Sequence, residues 1–157
     1  MSDNRGVTLS IAGAAVSLLV LAPNVLLLVA PPRDGIRTAD AGPVFTVLER
    51  AGQVACLALP FLTGTAGAWS WWIVPAALAV GGYLALWVRY LAVRRFGILY
   101  RSLGPLPIPM AVLPVVAFLA AAGWLGSWWV AGAAVLLAAG HLPNSWATRQ
   151  ALARAAG

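Results

Sequence analysis

The chain has no lysine, one cysteine, one histidine and four acidic residues among its 157 positions. Each scarcity excludes something. Cys56 alone forms neither an intrachain disulfide nor a Cys-x-x-Cys redox pair. His141 alone cannot supply bis-histidine haem ligation or a histidine-rich zinc site. No metal and no cofactor is therefore expected. Of the acids, only Glu49 falls within an apolar stretch. Charged residues make up 9% of the chain and hydrophobic residues 62%, which is outside the globular range and inside that of membrane proteins. The net charge of +6 is carried by arginine scattered over short segments. That pattern points to anionic lipid headgroups and to topology, not to nucleic acid. Arginine without lysine, with abundant Ala and Gly, is a composition of GC-rich bacterial genomes.

What the chain has in quantity is apolar sequence, in five stretches: 7–29, 43–63, 71–93, 108–123 and 128–142. Each is long enough, or nearly so, to cross a hydrocarbon core of about 30 Å as a helix. The expected fold is all-α: a polytopic membrane protein, one domain of five transmembrane helices. Residues 108–142 do not read as one span, because 35 residues of helix would run roughly 52 Å. The break belongs at Gly123-Trp124-Leu125-Gly126-Ser127. Residues 7–29 exceed the roughly 7–15-residue apolar core of a secretory signal and are read as an uncleaved helix.

Five spans put loop 31–42, loop 94–107 and the tail 143–157 on one side, with Arg33, Arg37, Arg94, Arg95, Arg101, Arg149 and Arg154. The other side has only Arg5. Arg-rich short loops stay cytoplasmic, so the chain reads as N-out and C-in, multi-pass in the cell membrane. Trp69, Trp71, Trp72, Trp124, Trp128 and Trp129 fall at the outer face, where amphipathic indoles collect.

Polar residues form stripes along these helices. Ser10, Ser17 and Asn24 share a face of the first, which Pro23 should kink. Thr46, Glu49, Gln53 and Cys56 share a face of the second. Tyr83, Trp87, Tyr90 and Arg94 share a face of the third, an aromatic wall ending in a cation. Between the third and fourth helices, Phe96 to Arg101 mixes apolar and basic residues, a segment expected to lie on the inner membrane surface. Pro105, Pro107 and Pro109 then favour an extended approach to the fourth helix.

Ionisable groups within a bilayer are costly and mark either a site or a pair. Glu49, Arg50, Gln53, Asn24, Arg89, Tyr90 and His141 all fall in the cytoplasmic half, beneath an outer half that is apolar apart from Ser, Thr and Trp. A transport path would place polar groups along its whole length. A one-sided polar pocket under an aromatic wall suits an amphiphile arriving from the inner leaflet. Glu49 has two readings: a desolvated carboxyl ready to act as a general acid, or half of an ion pair with Arg50 or Arg89 that fixes helix register. His141 reads as a helix-end interfacial residue before a catalytic one.

Pro23-Asn24, Leu48-Glu49-Arg50-Ala51-Gly52-Gln53, Pro107-Ile108-Pro109 and Gly140-His141-Leu142-Pro143-Asn144-Ser145-Trp146 resemble segments of small five-helix membrane proteins of actinobacteria. That resemblance implies the fold and no particular chemistry. Size, helix count and the lone acid of the second helix are similar to the small integral-membrane terpene cyclases of bacterial secondary metabolism, which act on isoprenoids. This second resemblance implies Glu49 as the acid that protonates an epoxide or olefin. A second intramembrane acid, expected in related fungal cyclases, has no counterpart here.

The leading expectation is an intramembrane enzyme acting on a prenyl or other lipid-like substrate. Glu49 would be the acid, with Asn24 and Gln53 as hydrogen-bonding supports. Tyr83, Trp87 and Tyr90 would stabilise developing positive charge. The rivals are a small transporter working as a homo-oligomer, and an accessory or structural subunit of another membrane protein.

Overall fold

The computed structural model describes residues 9–63 and 70–156, so Arg5 and Trp69 lie outside the described residues. Among the described residues the regular structure is helical, apart from one isolated bridge between Leu103 and Leu106.

Helix α1 spans Ile11–Val29. Ser10 caps it by accepting a hydrogen bond from the Gly13 N–H at 3.1 Å. The expected kink at Pro23 takes the form of one 3-10 turn, Ala22–Val25, before the helix resumes over Leu26–Val29. Proline lacks the N–H that an α-turn needs there. The Asn24 amide donates to the Leu21 carbonyl at 3.1 Å.

Helix α2 spans Pro43–Thr63. It is hydrogen-bonded directly to α1: Ser17 Oγ donates to the Cys56 carbonyl at 2.9 Å, and Ser10 N donates to the Phe61 carbonyl at 2.9 Å. Gly13 permits this approach, since a Cβ there would collide with the Pro60 carbonyl. Small residues that let backbones meet are the usual adhesive of helices in lipid.

Helix α3 spans Ile73–Val93 and ends at Arg94 in a left-handed conformation, φ 53°. That conformation is uncommon for a side-chain-bearing residue. It is held from several directions. Arg94 N donates to Tyr90 O at 2.6 Å, and Arg94 O accepts from Arg33 N at 2.8 Å. The guanidinium donates to the Pro31 carbonyl through Nε at 3.2 Å and Nη2 at 2.8 Å. The following 3-10 turn, Phe96–Tyr100, corrects an expectation. Phe96 and Leu99 are buried in the core, so the segment is anchored in the bundle by two side chains and is not the freely lying surface segment that its composition suggested. Asp34 Oδ1 secures its start by accepting from Phe96 N at 2.8 Å.

Helix α4 spans Pro109–Leu125, with proline in its first turn, where the missing N–H costs nothing. Gly126, at φ 62°, ends it in the left-handed region that glycine accepts freely, and so breaks the apolar run where the sequence placed the break. Helix α5 spans Trp128–Ala156, 29 residues, not the fifteen or so of its apolar stretch. The expectation that this helix ends at about 142, with 143–157 as a tail, is therefore corrected. Pro143 sits inside the helix without ending it, and the following run of Ala, Leu, Arg and Gln has high helix propensity.

Helices α2 and α5 are antiparallel and very close. A Cβ at Gly52 would overlap the Leu137 backbone, and one at Gly140 would overlap the backbones of Glu49 and Phe45.

Three helices, α1, α2 and α3, are long and apolar enough to cross a membrane. Helix α4 is apolar but shorter, at 17 residues. The outside of the bundle is apolar: Leu28, Val47, Val54, Leu78 and Val88 are all exposed. Such a surface is compatible with a membrane protein and unusual in water. The arginine-bearing segments meet at one end, through Arg94 on Pro31 and Arg149 Nη1 on the Pro107 carbonyl at 2.5 Å. Exposed Trp71, Trp72, Trp128 and Trp129 begin α3 and α5 at the other.

Candidate functional site

Glu49 lies on the face of α2 turned toward α5. Its Oε1 is 2.7 Å from His141 Nδ1, and its Oε2 accepts from Asn144 Nδ2 at 2.6 Å. The carboxylate is thus engaged at both oxygens by one turn of α5. Asn144 is itself oriented, because its Oδ1 accepts from Ala41 N at 2.9 Å. One turn further on, Thr148 Oγ1 accepts from Ala39 N at 3.0 Å and donates to Ala39 O at 2.7 Å. His141, Asn144 and Thr148 follow three-four spacing and so form one polar stripe. It reads Glu49 first and then clasps the strap that leads into α2.

The ion-pair expectation for Glu49 is corrected in its partner. Among the described residues the carboxylate pairs with His141, and neither Arg50 nor Arg89 bonds to it. Arg50 follows Glu49 and points about 100° away around the helix, to the exposed face. Arg89 is on α3, which packs chiefly on α4.

With Nδ1 turned to a carboxylate, the imidazole carries its hydrogen there, and Nε2 is left for other work. Two chambers meet at this ring. One is a cavity of about 100 Å³ whose walls include Asn24, Gln53, Tyr83, Trp87, Tyr100 and His141. The other is a polar vestibule of about 290 Å³ lined by Asp40, Thr46, Glu49, Arg50, Asn144 and Thr148 among others. Tyr100, His141 and Ser145 border both. Glu49 borders the vestibule and not the cavity, and of the residues bordering both, His141 is the one hydrogen-bonded to it. Burial, reinforced by the negative charge of Glu49 and partly offset by a hydrogen bond with Thr148, pushes the Tyr100 phenol up to about 12. Tyr100 therefore stays a neutral hydroxyl at any physiological pH.

The aromatic wall divides. Tyr83 and Trp87 line the cavity, edge to face, with ring centroids 6.2 Å apart. Tyr90 does not line it, which corrects its expected role. Its hydroxyl donates to the Ala30 carbonyl at 2.7 Å, tying α3 to the strap after α1. The Trp87 indole N–H is fully buried and, among the described residues, has no hydrogen-bond partner. Leaving such a donor unpaired costs about 1–3 kcal/mol. Asn24 and Gln53, from α1 and α2, line the same cavity, but they are not the hydrogen-bonding supports expected for Glu49, whose oxygens go to His141 and Asn144. Among the described residues no three His, Cys, Asp or Glu side chains cluster.

The sequence placed His141 in the polar group, but its pairing with Glu49 and the part played by Asn144, Ser145 and Thr148 were missed. The signal was present as His141, Asn144, Ser145 and Thr148 at helical spacing. Ending the helix at 142 hid it.

Comparison with protein-family models, with curated proteins and with solved structures finds no match to this chain.

Proposed function

We propose that the protein crosses the bacterial cell membrane five times, N-terminus outside and C-terminus inside, and is an intramembrane acid–base enzyme for a prenyl or lipid-like substrate. The single observation that carries this reading is the 2.7 Å contact between Glu49 and His141 at the border of a polar vestibule and an aromatic cavity. A histidine oriented by a carboxylate through Nδ1 is suited to move a proton at Nε2, as in many hydrolytic sites. The vestibule supplies protons from the aqueous side. His141 passes one to a substrate group in the cavity, and Glu49 stabilises the imidazolium.

Typical ligand pockets measure about 300–1,000 Å³, and this cavity about 100 Å³. It admits the reactive end of a chain molecule and leaves the rest among the lipids. Tyr83 and Trp87 offer ring faces to a positively charged intermediate, each worth about 0.5–2 kcal/mol. Acid-initiated closure or isomerisation of a terminal prenyl unit is the reaction this donor set supports best. The test is conversion of prenyl olefins and epoxides by membranes in deuterated buffer. An olefin-derived product carrying one solvent deuterium on carbon is expected. No conversion of any such substrate would remove the enzyme reading.

One observation favours a second reading. His141 borders both chambers, which is also how a proton-coupled transporter would be built, as an oligomer or as an accessory subunit of a larger assembly. Proton flux in vesicles without chemical conversion would select it.

A further inference from the structure

Arg50 is an exposed arginine two turns into an apolar helix, and among the described residues it makes no ion pair or hydrogen bond. Exposed Val47, Val54 and Leu57 surround it on α2, so its face of the helix is the one turned to lipid. The Glu49 carboxylate across the vestibule acts on this guanidinium only at a distance. A guanidinium without a hydrogen-bonded anion in that belt is expensive, and structures relieve the cost with an anion or by reaching toward the headgroups.

Three concave surfaces converge on this side chain. The vestibule is the first. The second is a cleft between α1 and α2 lined by Leu21, Asn24, Arg50, Gln53, Val54 and Leu57. Leu21, Asn24 and Gln53 of that cleft also line the inner cavity, so these three side chains are the partition between the two. The third is an almost wholly apolar groove running up α2 from Arg50 past Ala51, Val54, Ala55, Ala58 and Leu59. Three alanines make this face of α2 shallow and open, and its only charged member is Arg50.

We infer that the α1–α2 cleft is a lateral portal at which Arg50 holds the phosphate of a net-anionic phospholipid, with an acyl chain lying in the alanine-lined groove of α2. A guanidinium meets two phosphate oxygens at once, which gives both charge and direction. Beyond Arg50 toward Leu59 the groove is lined by Ala and Val, with Thr46 the polar residue at its other end. Asn24 and Gln53 stand where the head region would pass inward, as amides able to exchange hydrogen bonds with it. The inference stands whether or not His141 transfers protons, because it concerns what occupies the portal.

The test is native mass spectrometry of the full-length protein released from nanodiscs of mixed phosphatidylglycerol and phosphatidylcholine. The wild type should retain one phosphatidylglycerol in preference to phosphatidylcholine. Arg50→Gln should lower that retention at least fivefold. Arg154→Gln, which removes a distant exposed charge on α5, should leave it unchanged. Ala51→Trp, filling the groove beside Arg50, should weaken retention of long-chain lipid and spare a short-chain analogue with the same head. Equal losses in Arg50→Gln and Arg154→Gln would reduce the effect to general surface charge and overturn the proposal. Undiminished retention in Arg50→Gln would overturn it as well. An Ala51→Trp variant that binds both chain lengths normally would remove the chain from the groove and overturn that half of the site.

Discussion

Glu49 Oε1 and His141 Nδ1 lie 2.7 Å apart on antiparallel helices whose backbones touch at Gly140. The contact fixes the tautomer. Because His141 is the only histidine in the chain, its ring nitrogens can be followed without assignment. In protein labelled with nitrogen-15 histidine, neutral His141 should show the Nδ1–H form. Glu49→Gln should shift the population toward the commoner Nε2–H form. An unperturbed tautomer in Glu49→Gln would show that the carboxylate does not orient the ring.

The closeness of α2 and α5 gives a stability prediction. Gly140→Ala places a methyl group onto the backbones of Glu49 and Phe45, so the helices must part. Overpacking of this kind costs about 1–3 kcal/mol. Gly132→Ala, in the same helix with open space around it, should be neutral or stabilise slightly. Thermal unfolding in detergent compares the two. Equal melting temperatures would contradict the close crossing.

The strap before α2 should depend on Thr148. Thr148→Val keeps the shape and removes both hydrogen bonds to Ala39. The expected loss is about 1–3 kcal/mol, with faster hydrogen exchange at the Ala39 amide. Exchange unchanged from the wild type would mean that the strap is held by other contacts.

Orientation can be read with reporter fusions. Fusions after Arg37, after Arg101 and at the C-terminus should report cytoplasm, because seven arginines mark that side. A fusion at Gly126 should report the exterior. A cytoplasmic signal at Gly126 would reverse the topology.

The parts of this protein that were legible in its sequence are those set by local rules. Helix α2 was bounded at 43 and 63 because Pro43 opens it and its apolar stretch closes there. The hairpin between α4 and α5 was visible in Gly126, and the bend of α1 in Pro23. Glu49 was recognisable as exceptional from its cost in lipid. Its partner was not. Arg50 is adjacent in sequence but diverges around the helix, whereas His141 is 92 residues away and meets Glu49 only because Gly140 lets α5 approach. The last helix was bounded at 142, where its apolar stretch ends, yet the polar stripe that completes the site continues beyond it to Thr148. Tyr90 shared a stripe with Tyr83 and Trp87, but helical spacing does not show which member of a stripe spends its hydroxyl on a neighbouring carbonyl.

The most direct measurement compares turnover in membranes carrying the wild type, His141→Gln or Glu49→Gln, fed prenyl olefins and epoxides and analysed by mass spectrometry. If His141 moves the proton, His141→Gln should lower the rate by about 10²–10⁴-fold, the usual worth of general acid–base catalysis. Glu49→Gln should lose less, because the imidazole is still present beside the cavity though no longer oriented, and both variants should remain inserted and folded. Wild-type turnover in His141→Gln would contradict the account, since the cavity would then be working without the residue that joins it to the vestibule.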